Sequence, residues 1–147
     1  MKIPEIKIKV SFDKVKKSEL FHVCDSKTMY QAAKEVFNAD TINWTEEMIL
    51  FCLNRKNDIV GFYKVSSGGF SGTVTDPRVI LTIALNCCAS NLILCHNHPS
   101  GNLKPSDSDI KVTEQIKAAA KLLDINILDH LIISDEGYHS MSDQGNI

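Results

Sequence analysis

The segment CHNHPSGNLKPSDSD, residues 95–109, decides how the rest of this chain is read. It closes the apolar run SNLILC (90–95) with His-Asn-His, turns at Pro99 and Gly101, and then presents Ser106 and Asp109 three apart. An apolar run of that length reads as a buried strand. Residues i and i+2 of a strand point to the same side, with Cα atoms about 6.6 Å apart. His96 and His98 can therefore aim their rings at one point at the strand's exit. Asp109 comes eleven residues after His98, in the first turn of the next helix. A loop of that length can return its carboxylate to the same point. Two neutral imidazoles and a carboxylate form a common ligand set for a catalytic zinc, with the fourth place left to water.

Each piece also has an ordinary structural reading. Ser106 followed three residues later by Asp109 has the form of a capping box at a helix start. A single His-x-His in a strand is more often structural than metal-binding. The combination differs because all four residues must converge. The two readings coexist: a cap that fixes Ser106 holds its hydroxyl beside the metal.

Working outward, IKIKV (6–10) alternates as a half-buried strand does. Ser26 or Asp25 can cap a helix with apolar positions Met29, Ala32, Ala33, Val36 and Phe37. MILFCL (48–53) reads as a buried strand, NRKND (54–58) as a polar turn and IVGFYKV (59–65) as the returning strand. Gly68, Gly69 and Gly72 mark a flexible turn or a bulged strand. Asp76-Pro77 opens a helix with Ile80, Ala84, Cys87 and Cys88 as its apolar stripe. A further helix runs from about Asp107 to Leu123, with Val112, Ile116, Ala119, Ala120 and Leu123 on one face. INILDHLII (125–133) is another strand, and Gly137 turns the chain into a short last one near Tyr138 to Met141. Interspersed strands and helices with one hairpin predict an α/β domain around a mixed sheet flanked by helices.

The chain has 147 residues, enough for one sizeable core, with 44% hydrophobic and 23% charged residues. A net charge of −2 argues against a general nucleic-acid binder. The charge is uneven, since residues 1–17 hold six Lys against Glu5 and Asp13, a local +4 that leaves −6 elsewhere. The five cysteines are odd in number and form no C-x-x-C, so no disulfide framework is expected. No signal-peptide pattern or apolar run of membrane-spanning length is present, and a reducing cytoplasm is the expected location.

His96-Asn97-His98-Pro99, six residues, then Ser106-Asp107-Ser108-Asp109 resembles the signature of the JAMM (Jab/MPN) zinc metallopeptidases. LNRKN, SGGFSGTVTDPR, LILCHNHPSGNLKPSDSDI and LLDINILDHLII are similar to the RadC branch of that superfamily. The similarity runs from about Thr41 to the C-terminus. The resemblance implies a JAB/MPN-type α/β sandwich with a cytidine-deaminase-like architecture over residues 41–147. Residues 1–40 then supply an N-terminal strand and helix packed on it. The resemblance also implies Zn2+ held by His96, His98 and Asp109, with Ser106 hydrogen-bonding the carbonyl oxygen that becomes an oxyanion. The family's general base is an upstream Glu, which falls on Glu46, with Glu47 as runner-up.

The implied activity is hydrolysis of a peptide or isopeptide bond in a peptide or protein substrate. The family's traditional link is with DNA repair. RadC chains usually carry a helix-hairpin-helix region, which nothing in the first forty residues resembles. The alternative is a non-catalytic or regulatory metal-binding module acting in DNA transactions, favoured only by the Lys-rich arm. His130 belongs to the RadC-like pattern as a supporting residue, and His22 and His139 read as surface residues. An HNH nuclease is discounted because its residues are scattered over a longer unit. A zinc deaminase fails because Cys87-Cys88 lies upstream of the histidines with the wrong spacing.

Overall fold

The structure is a computed structural model that describes all residues except Lys2 and 69–74. Five strands form one mixed sheet in the order β2-β1-β3-β4-β5. These are β1 (Glu47–Leu53), β2 (Ile59–Ser67), β3 (Asn91–Asn97), β4 (Asn126–Ile133) and β5 (Tyr138–Ser140). The helices are α1 (Ser26–Val36), α2 (Pro77–Asn86) and α3 (Asp107–Lys121). β3 and β4 are parallel, joined through α3, and the other neighbours are antiparallel. The α/β class, with a mixed sheet flanked by helices, is as the sequence pattern predicts.

The central strands β1 and β3 are buried along their whole length, which explains their unbroken apolar runs. Alternate residues serve two separate cores. Ile49, Phe51, Leu53, Ile93 and Cys95 pack with Met29, Ala32 and Ala33 of α1. Met48, Leu50, Cys52, Leu92 and Leu94 pack with Ile80 and Ala84 of α2 and Ile116 and Ala120 of α3. Met48 lies opposite His96 across the β1–β3 pair. His96, two residues beyond Leu94, therefore continues the α2–α3 face at the C-terminal end of β3.

Local signals set the helix starts. Asp25 caps α1, its carboxylate accepting from the Thr28 amide at 2.7 Å. Asp76 caps α2, which has Pro77 at its first turn. The expected turn of 54–58 is present: Asn54 Oδ1 accepts from the Lys56 and Asp58 amides, and Asn57 adopts φ 64°.

Three expectations need correction. Residues 6–10 form no strand: they are exposed, with Ile6 at 88% and Ile8 at 73%, and pair with no other segment among the described residues. Alternation alone cannot hold a strand that lacks a hydrogen-bonded neighbour. The α2 stripe runs on to Cys87, the helix's C-cap, which packs part-buried on the same core, but Cys88 turns to φ 52° and is exposed. The buried face of α3 is Thr113, Ile116 and Ala120, while Leu123 lies beyond the helix and is exposed. Gly68 ends β2 in the left-handed region at φ 101°, whereas Gly69 and Gly72 lie outside the described residues. All five cysteines are free. No described helix is long and apolar enough to cross a membrane.

Candidate metal centre

β3 carries His96 to its last turn of pleat, the chain bends after His98, and α3 begins at Asp107. Gly101, at φ 75°, donates its amide to the His98 carbonyl at 2.9 Å and closes that bend. Ser106 caps α3 in a reciprocal box: its hydroxyl accepts from the Asp109 amide at 3.1 Å, and Asp109 Oδ2 accepts from the Ser106 amide at 2.7 Å. The capping reading of Ser106-x-x-Asp109 is thus correct as far as it goes. The box also fixes the direction of the Asp109 carboxylate, which points back toward the end of β3.

His96, His98 and Asp109 each offer one ligand atom to a common point. Nε2 of His96 lies 2.8 Å from Nε2 of His98. Asp109 Oδ1 lies 3.3 Å from His96 Nε2, and Oδ2 lies 3.6 Å from His98 Nε2. Bonds of 2.0–2.1 Å to a tetrahedral zinc imply ligand-to-ligand distances of about 3.3 Å. One ligand atom from each of the three residues lies within 4.8 Å of the other two, a cluster that one small divalent ion can bridge.

The donor chemistry fits as well. His98 gives its other nitrogen, Nδ1, to the Asn102 carbonyl at 2.5 Å, so this nitrogen bears the hydrogen. In the neutral ring that leaves a lone pair on Nε2, the form a metal requires. The hydrogen bond with Asp109 raises the His98 pKa above its usual value, and the Glu46 charge adds to the rise. Burial works to raise the Asp109 pKa, but hydrogen bonds from His96 and His98 outweigh it and hold the carboxyl well below the usual range.

Glu46 and Glu47 part company at the start of β1. Glu47 is buried, and its carboxylate accepts from the Ser67 hydroxyl at 3.3 Å and pairs with Lys64 at 3.6 Å. Its amide donates to Asn97 Oδ1 at 2.8 Å. Strand alternation therefore puts Glu47 on the Asn97 side of the sheet, away from His96. Glu46 is half-buried and lies two residues before Met48, the cross-strand partner of His96. It is the carboxylate whose charge reaches His98. The Ser106 hydroxyl donates to Asp109 Oδ2 at 2.7 Å. The structure thus brings His96, His98, Asp109 and Ser106 together, and Glu46 enters β1 two residues before the cross-strand partner of His96.

This geometry sits in a recognisable sequence context: the family model for the RadC-like JAB domain matches residues 23–146. The chain belongs to the RadC-like JAB family. The matched span of this RadC-like chain starts before α1, so it includes the helix that covers one face of the sheet. UPF0758 proteins are among its relatives. The one from Flavobacterium johnsoniae is 45% identical over 100 residues, covering 68% of this chain and 44% of the relative. One from Clostridium perfringens is 35% identical over 133 residues, covering 90% of this chain and 58% of the relative. One from Methanosarcina barkeri is 41% identical over 100 residues, covering 68% and 44%. The RadC-like chain spans about half the length of the curated relatives it matches.

Two polar residues near the site carry more than the sequence pattern showed. Asn97 is completely buried, and its Nδ2 donates to the Ile42 carbonyl at 2.6 Å and the Thr45 carbonyl at 2.8 Å. It ties the segment bearing Glu46 to the end of β3. Thr113 is completely buried on α3, and its position one turn after Asp109 and one turn before Ile116 was the available signal. His130 is also completely buried, as befits a supporting residue. His22 is exposed and bonds Asp58, and His139 bonds Asn146, both away from the centre.

Proposed function

We propose that this chain is a zinc-dependent hydrolase of the JAMM type that cleaves a peptide or isopeptide bond. The convergence of one ligand atom each from His96, His98 and Asp109, within 4.8 Å of one another, carries the reading. Zinc suits two imidazoles and a carboxylate better than magnesium or calcium, which favour all-oxygen ligand sets. Bound there, it would act as a Lewis acid and lower the pKa of water to about 7.

The remaining steps belong to the chain. Glu46 accepts a proton from the attacking water and returns it to the leaving amine. Its position two residues before Met48, the cross-strand partner of His96, supports that role, while Glu47 is engaged by Lys64 and Ser67 on the other side of the sheet. Ser106 orients Asp109 through its hydroxyl. The same hydroxyl, turned from Asp109 to a substrate carbonyl, would stabilise the developing oxyanion. Asn97 holds the backbone that precedes β1 and so fixes where Glu46 stands.

Metal analysis paired with a peptide-library cleavage assay tests this reading. Wild type should hold about one zinc per chain, and His98→Ala should lose it. Glu46→Gln should keep the zinc and lose hydrolysis by a factor on the order of 100 or more. A fall in zinc content in Glu46→Gln would show that the acid is a ligand or a structural residue instead.

A second reading, a non-catalytic metal-binding module acting in DNA transactions, rests on the Lys-rich arm of residues 1–17, exposed from residue 3 onward. Genuine phosphate contacts give DNA affinity a steep salt dependence. A flat salt titration, with peptide cleavage present, leaves the hydrolase.

A further inference from the structure

Behind His96 lie two polar side chains that the proposed hydrolysis does not use. Nε2 of His130 is 2.7 Å from Nδ1 of His96. Nδ1 of His130 is 2.6 Å from the Thr113 hydroxyl, which in turn is 2.6 Å from the Asp109 carbonyl oxygen. Thr113 and His130 are fully buried and His96 is 1% exposed, so no solvent completes this chain of contacts. It links the backbone of one ligand residue to the ring of another.

We propose that Thr113 and His130 form a hydrogen-bond relay that fixes His96 as the Nδ1–H tautomer and thereby presents its Nε2 lone pair to the metal. The inference rests on the metal reading above and makes both residues positioning residues. It follows from proton accounting. A hydroxyl has one hydrogen, and two oxygens 2.6 Å apart repel unless it lies between them. The Thr113 hydrogen therefore goes to the Asp109 carbonyl, which can only accept. Toward His130, the Thr113 oxygen must then accept, so His130 is protonated on Nδ1. The His130 ring is fully buried, and its two nitrogens meet only the Thr113 hydroxyl and the His96 ring, so it holds a single proton. Its Nε2 is therefore an acceptor, and His96 must donate from Nδ1. The free lone pair of His96 is left on Nε2, the atom that faces His98 and Asp109.

The relay explains why a threonine and a histidine occupy core positions where an aliphatic side chain would pack more cheaply. It also couples the α3 backbone at Asp109 to the β3 ring, so both ligands move as one body. Contacts of this kind behind a metal-bound histidine commonly change metal affinity by 10- to 100-fold.

Two measurements test the proposal. In metal-free protein labelled with 15N-histidine, long-range 1H–15N correlation spectra should show His130 and His96 protonated at Nδ1. Zinc affinity, read by competition with a chromophoric chelator, should fall roughly tenfold or more in Thr113→Val. Thr113→Ser, which restores the hydroxyl, should recover affinity to within about twofold of wild type, while a merely space-filling threonine would favour the valine. A proton on Nε2 of His130, or a Thr113→Val protein that binds zinc like wild type, overturns the relay. Wild type that takes up no zinc overturns the metal reading, and this proposal with it. The tautomer spectra need no metal and so separate the two failures.

Discussion

The convergence of the three candidate ligands was legible because their geometry is local. His96 and His98 are two apart on a strand, and Asp109 opens the next helix, so ordinary strand and helix periods bring them together. The residues that support them were harder to read. Asn97 bonds the Ile42 carbonyl 55 positions away, and His130 meets His96 across 34 positions. No periodicity within one element predicts such partners. Asn97 also carries a test at its own scale. Asn97→Leu keeps the branched shape but strands the Glu47 amide and the carbonyls of Ile42 and Thr45. Urea unfolding should show a loss of about 3 kcal/mol, from buried polar groups left without partners. Zinc binding should survive while hydrolysis falls, because the segment that tethers Glu46 loosens.

Among the elements, the strands read from continuous apolar runs came out well. β1 and β3 are buried on both faces, so their sequences needed no alternation. IKIKV had the opposite property, good alternation without a neighbour, and stays exposed. Pattern reports what a face would suit, and a strand forms only where an adjacent backbone offers hydrogen bonds. The end of α2 was misread for a different reason. Cys87 and Cys88 continue the apolar spacing, but Cys88 takes a left-handed turn at φ 52°. A side chain in that region is strained by about 1 kcal/mol, and glycine is not. Cys88→Gly should therefore raise stability by roughly 0.5–1 kcal/mol, measurable as a higher urea midpoint with an unchanged slope. A loss of stability in that variant would mean that the Cys88 side chain contributes more than its backbone costs.

At the level of the molecule, one sheet separates two cores, and the metal centre lies at the end of the face covered by α2 and α3. Three carboxylates at helix starts and a turn supply a clear acid response. The Thr28 amide lowers the pKa of Asp25, the Asn54 amide group lowers that of Asp58, and the Arg78 guanidinium lowers that of Asp76. Each folded value lies below 3.8, so the unfolded chain binds more protons in that range. Their stabilisation is present above about pH 4 and is lost as pH falls through the lowered values. Urea midpoints should drop between pH 5 and pH 3, and Asp25→Asn should flatten part of that drop. An equal drop in the variant would place the acid response elsewhere.

The ligand set also bears on the order of assembly. His96, His98 and Asp109 lie within fourteen consecutive residues, whereas Glu46 and His130 arrive from distant strands. Closing a loop of about ten residues takes on the order of 10–100 ns, far less than pairing remote strands. On the proposed zinc reading, a nascent or refolding chain would gather its three candidate ligands in one short stretch before Glu46 arrives. Metal uptake would then precede the docking of β1 and β4 on either side of β3.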